Sequence, residues 1–119
     1  MGTPYRYGGN TPEKGFDCSG FVQYIYNLHG VKLPRTTRDL MNAGKTVSLR
    51  RAQVADLILF TGSNPNGPVG HVGIITRPDG ENTEFIHAGS SGKNGGVVMS
   101  SMANGYFEKR FLKVVDVLN

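Results

Sequence analysis

Cysteine is nearly absent: the 119 residues hold one, Cys18. A single thiol excludes an intramolecular disulfide framework and a four-cysteine zinc site. Long hydrophobic runs are missing too, and nothing approaches the ~20 consecutive apolar residues of a membrane-spanning helix. Charge is sparse at 18% of residues, and the apolar share of 38% is a little low. Neither figure is that of a disordered chain. Internal repeats, low-complexity tracts and charged tails do not occur. The opening Met1-Gly2-Thr3-Pro4-Tyr5 lacks the basic-then-apolar pattern of a signal peptide. That fits a cytosolic protein or a domain cut from a longer secreted precursor; the structured-looking sequence that follows at once favours the second, and the compartment stays open. The length suits one domain, residues 1–119.

Glycine is what the chain has in excess, at 17 residues. That share is roughly twice the average and fits many tight turns, or a backbone that a ligand approaches closely. The formal net charge is +4, with a pI near 9.4, which suits an anionic partner. Nucleic acid is the weaker choice, because the basic residues are scattered and no recognition motif appears.

An aromatic- and glycine-rich loop covers residues 4–15. Phe21, Val22, Ile25 and Leu28 then fall on one helical stripe. Asp17 and Ser19 are N-cap residue types, and Gly30 stands where a C′ glycine belongs, so a helix is predicted over about 18–29. Pro34 breaks the chain, and Thr36 or Thr37 caps a short helix ending before Gly44. Beyond it the hydrophobic period becomes two. Strands are predicted at 57–60, 71–76, 83–88, 97–100 and 111–118. The loop 62–70, the Pro78-Asp79-Gly80 turn and the loop 89–96 separate them. Helices first and an antiparallel meander second make an α+β fold.

Cys18 opens the predicted helix, where the dipole and the free backbone N–H groups favour a thiolate, the nucleophilic form. A buried cysteine acting as a small apolar residue is the plain alternative. His71 begins one strand and His87 ends the next. They are equidistant from Asp79, so a simple hairpin centred there sets them face to face, with Cβ atoms about 4.5–5.5 Å apart. One histidine could then be the base for the cysteine while the other orients its ring, which is the logic of a triad. Two other readings stay open at this point. The histidines could be polar residues at sheet edges, or Cys18, His71 and His87 could bind zinc with water or Asp17 as the fourth ligand. His29, beside Gly30, is assigned to the helix dipole or to solvent.

The run Asp17-Cys18-Ser19-Gly20-Phe21 does not stand alone. Pro4-Tyr5-Arg6-Tyr7-Gly8-Gly9 precedes it. Leu33-Pro34-Arg35-Thr36, Ala55-Asp56-Leu57 through Phe60, Gly70-His71-Val72-Gly73-Ile74 and Phe85-Ile86-His87-Ala88 follow, and then Tyr106 to Arg110. In this order and spacing they resemble the NlpC-type cell-wall cysteine peptidases, and among those the Gram-negative lipoprotein murein endopeptidases. The resemblance spans nearly the whole chain. It implies a compact papain-like fold, with N-terminal helices packed on an antiparallel sheet of about five strands. It also implies hydrolysis of amide bonds in the stem or cross-link peptides of peptidoglycan, through an acyl-enzyme and without metal or other cofactor. Cys18 matches the nucleophile, His71 the general base and His87 the polar residue that orients it. Tyr5, Asp17 and Ser19 match positions facing the substrate.

The implied partner is the stem peptide, whose carboxylates suit a basic protein. A monomer is expected, in the cell envelope (periplasm or outer membrane) or secreted, with any lipoprotein anchor in the uncut precursor. Two departures stand out. The helix that the family carries before the Pro-Tyr motif is not in this sequence, and the loop 62–70, just before His71, is individual. A papain-like amidase or acyltransferase with a non-wall substrate is the competing enzyme reading. A non-catalytic wall-binding module is the third, and the intact Cys18, His71 and His87 set argues against it.

Overall fold

The protein is described by a computed structural model covering residues 10–11, 15–62, 64–89 and 96–118. Helix α1 (Cys18–Leu28) starts where the sequence places it. Asp17 is extended, and its carboxylate accepts from the Gly20 N–H at 2.7 Å, so it satisfies one of the orphan donors of the first turn. Gly30 adopts φ +78°, the left-handed position just past the helix end. The buried stripe differs from the predicted one. Phe21 and Val22 are buried, but Leu28 is 63% exposed and Tyr26 turns inward. The Tyr26 hydroxyl donates to the Ala55 carbonyl, which makes a buried phenol tolerable. Burial, with Asp56 and Asp116 nearby, pushes its pKa up to about 12, so it stays a neutral donor.

Before α1, where a loop is predicted, β1 (Asn10–Thr11) and β2 (Gly15–Phe16) form a small antiparallel pair. After it, α2 (Thr37–Leu40) is capped by the Thr36 hydroxyl, which accepts from the Asp39 N–H at 3.2 Å. The main sheet is antiparallel throughout and, among the described residues, has six strands rather than about five. Their spatial order is β3 (Lys45–Val47), β8 (Phe111–Asp116), β4 (Leu57–Thr61), β5 (Val69–Arg77), β6 (Glu84–Gly89) and β7 (Gly96–Ser101). The added strand is β3, three residues whose ladder runs from Lys45 opposite Asp116 to Val47 opposite Val114. It has no periodicity long enough to read; its partner makes it a strand. The meander holds from β4 to β7. Then α3 (Gly105–Arg110), capped by the Asn104 side chain, turns the chain back and β8 pairs with β4.

The apolar run in β4 is explained by cover on both faces. Leu57 and Leu59 enter the cluster under α1, with Phe21, Val22, Val72, Ile74 and Val115. Ile58 and Phe60 enter a second cluster on the other face, with Ile75, Phe85 and Val114, and Phe107 of α3 packs against it. Helix α1 lies on β5 and β6, so its N-terminus meets the start of β5. No described helix is long and apolar enough to cross a membrane.

Tyr26→Phe leaves the Ala55 carbonyl without its hydroxyl partner. It should lower stability by about 1 kcal/mol and the melting temperature by roughly 3–6 °C, measured by thermal unfolding. An unchanged melting temperature would show that the bond contributes nothing.

Candidate active site

Cys18 is the first residue of α1. Its thiol donates to the Gly70 carbonyl at 3.8 Å, and the Val72 N–H acts on the sulfur from the other side of His71. The sulfur therefore lies against the strand backbone that carries His71, with its hydrogen bond made to that backbone and not to the ring. The backbone N–H groups of Ser19 and Cys18, at the helix start, pull the thiol pKa down as the sequence suggests. Burial outweighs them, helped by the Asp17 charge, and the thiol ends up above its ordinary value. The net shift opposes the thiolate that the helix start by itself favours.

The two histidines meet as expected, but by a different register. A hairpin centred on Asp79 would oppose His71 and His87. Instead Ile75 faces Phe85 and Ile74 faces Ile86, with an irregularity between Ile75 and Arg77. One step further puts His87 opposite Gly73, two residues from His71 on the same face. Diagonal partners lie about 7–8 Å apart, within reach of long side chains. The rings close that gap: His71 Nε2 and His87 Nδ1 are 2.8 Å apart. Gly73 makes the contact possible. A Cβ there would sit 2.8 Å from the Phe85 ring, 3.2 Å from the Ile86 carbonyl and 3.4 Å from His87 Cβ.

His87 Nε2 lies 2.7 Å from the Ser100 hydroxyl on β7, a contact that the sequence reading missed. The rings of Phe60, Phe85 and Phe107 surround the pair, with Phe107 5.3 Å from His87 and 6.3 Å from His71. Phe107 comes from α3, which explains why a helix at the far end of the chain belongs to the site. Burial among these rings, and then the neighbouring His87, pushes His71 down to about 3. Burial pushes His87 down to about 4. Both rings are neutral at pH 7.

Asp17 and Ser19 flank the sulfur but are tied into the fold. Besides capping α1, Asp17 takes a salt bridge from Arg35 at 3.0 Å. Ser19 is buried, and its hydroxyl accepts from the same guanidinium at 2.7 Å. Arg35, which the sequence offered only inside Leu33-Pro34-Arg35-Thr36, thus clamps both residues. Tyr5 lies outside the described residues. The zinc set does not assemble: among the described residues no three His, Cys, Asp or Glu side chains converge as ligands. Both nitrogens of His87 are already hydrogen-bonded.

The histidines tie stability to pH. An unfolded chain takes up protons on them below about 6.5, whereas the folded chain resists until about 3 and 4. The unfolded state therefore binds more protons in that window, and stability should fall as pH drops from 6.5 towards 4. Thermal unfolding across this range should show the loss, with a shallower slope in His87→Gln. Equal slopes would show that another group sets the acid sensitivity.

A family model described as the NlpC/P60 family matches residues 2–116. A Haemophilus influenzae protein named as a probable endopeptidase is 45% identical over 115 residues, which cover 95% of this chain and 65% of that protein. An Escherichia coli protein named murein DD-endopeptidase MepS/murein LD-carboxypeptidase is 40% identical over 119 residues, 99% of this chain and 57% of that protein. The crystal structure of an NlpC/P60 family protein from Bacillus cereus superposes with a TM-score of 0.84 at 27% identity, over 100% of this chain and 37% of that one. The chain spans less than two thirds of the length of both curated relatives.

Proposed function

The chain belongs to the NlpC/P60 family, and on that premise we propose that it is a cysteine peptidase of the cell envelope that cleaves amide bonds in the stem or cross-link peptides of peptidoglycan. We take residues 1–119 as one peptidase domain. The observation that carries this reading is the pairing of a thiol at a helix start, seated on the backbone either side of His71, with a half-buried His71–His87 hydrogen bond of 2.8 Å. The names of the two relatives, an endopeptidase and a murein endopeptidase, support the substrate class, as does the net charge of +4 against an anionic polymer.

In the proposed reaction His71 Nδ1 takes the thiol proton as Cys18 Sγ bonds to the scissile carbonyl carbon. This exchange suits a resting pair that is neutral on both sides. The oxygen of the tetrahedral intermediate carries the negative charge, and the backbone N–H at the helix start stabilises it. Collapse breaks the C–N bond as His71 gives its proton to the departing amine. That leaves a thioester on Cys18. His71 then takes a proton from water, whose oxygen attacks the thioester carbonyl, and the proton returns to sulfur as the acid leaves. His87 orients and polarises His71 throughout. Asp17 and Ser19, held by Arg35, and Tyr5 are proposed to line the groove where the stem peptide lies. The protein acts as a monomer and without a metal.

Digesting purified muropeptides and weighing the products tests this and shows which bond is cut. Cys18→Ala should abolish cleavage while the fold persists. Cleavage by the folded variant at near wild-type rate would remove Cys18 from the reaction. Chelators should leave activity intact and thiol alkylation should destroy it, whereas loss on chelation would return the zinc reading. If the wild type binds peptidoglycan and cuts nothing, the chain is a binding module.

The two histidines should differ in kind. His71 moves protons, so His71→Asn should lose nearly all activity. His87 only accepts from and aligns its neighbour, so His87→Asn should keep more. Their losses should not add in the double variant, because base and orienter form one unit. The reverse order of the single variants would reverse the roles.

A further inference from the structure

A neutral imidazole carries one proton and one lone pair. His71 Nε2 is occupied by His87, so Nδ1 is the nitrogen left to take a proton from Cys18. For Nδ1 to hold the lone pair, Nε2 must hold the proton and donate it to His87 Nδ1. His87 must then carry its own proton on Nε2. The atom facing that nitrogen is the Ser100 hydroxyl oxygen, 2.7 Å away. The same contacts permit a reversed chain: Ser100 donates to His87 Nε2, His87 Nδ1–H donates to His71 Nε2, and His71 keeps a proton on Nδ1. That state has no base to offer the thiol.

We propose that Ser100 is a positioning residue: by accepting the His87 Nε2–H it makes accessible the tautomeric state of the histidine pair in which His71 Nδ1 is a base. Strand register makes the contact. His87 faces Val98 and Phe85 faces Ser100, so the hydroxyl reaches His87 on the diagonal. The rings packed on His87, those of Phe85 and Phe107, offer no oxygen that could replace it. Among the described residues no buried side-chain nitrogen or oxygen lacks a partner, and removing the Ser100 hydroxyl would create one. An unpartnered N–H in such surroundings is costly. The reversed chain avoids that cost, because His87 then shows Ser100's position only a lone pair.

The effect on rate rests on the peptidase reading; the tautomers do not. The chain has three histidines, so nitrogen NMR of the histidine-labelled protein reports which ring atom carries each proton. Wild type should show Nε2–H on both His71 and His87. In Ser100→Ala the Nδ1–H form of His71 should become populated, and kcat on muropeptides should fall about ten- to a hundredfold with KM nearly unchanged. Ser100→Thr, which keeps the hydroxyl, should restore the wild-type tautomers and most of the rate. A wild-type His71 protonated on Nδ1 overturns the proposal. So does a Ser100→Ala protein whose tautomers are unchanged, whatever its rate, since packing would then explain any loss. If Ser100→Ala does not fold, the wild-type spectrum and Ser100→Thr decide. Nε2–H on both rings in a protein that cuts no muropeptide sinks the peptidase reading and leaves the Ser100 assignment standing.

Discussion

Two imidazoles side by side among aromatic rings, His87 buried and His71 half-buried, cannot both be charged, and they have one hydrogen bond to share. Much of the architecture answers that constraint. Gly73 lets β5 and β6 approach closely enough for the rings to meet. The rings of Phe60, Phe85 and Phe107 pack against them, and β7 supplies a hydroxyl at the outer nitrogen. The cost is a pair of bases that an acidic solution would charge in the unfolded chain first. The gain is a neutral His71 at pH 7.

The sulfur is governed by a second balance. A helix start favours a thiolate, and the N–H groups of Cys18, Ser19 and Val72 act in that direction. Burial and the charge of Asp17 act against it and prevail. A protonated thiol beside neutral imidazoles requires the proton to move during attack. In the proposed reaction that makes the alignment of His71 more consequential than the acidity of Cys18. Asp17 embodies the compromise. Its carboxylate opposes the thiolate, yet it caps the helix that presents the sulfur and receives Arg35, which also holds Ser19.

The local chemistry of the elements was legible because it is written in neighbouring residues. Asp17 and Gly30 bound the helix as capping chemistry dictates. Five strands follow from period-two patterning. The misplaced details depend on distant partners. Leu28 and Tyr26 exchange inner and outer positions because Ala55, 29 residues on, offers Tyr26 an acceptor. Strand β3 exists because β8 comes to lie beside it. The hairpin register departs from the symmetric one through the irregularity between Ile75 and Arg77, which a turn motif does not announce.

From the residues alone came the single thiol at a helix start, the two strand histidines and the absence of a disulfide or cysteine-rich metal framework. Resemblance of the ordered motifs added the family. Which atoms touch was decided only in three dimensions. The meeting of His71 and His87 by a diagonal across Gly73, the arrival of Ser100 from β7 and Phe107 from α3, and the clamp of Arg35 on Asp17 and Ser19 join residues far apart in the chain. Helix and strand periods fix which way a side chain points within its own element. They say nothing of which element packs opposite, and burial, the largest cause of the pKa shifts of Cys18, His71 and His87, is a property of that packing.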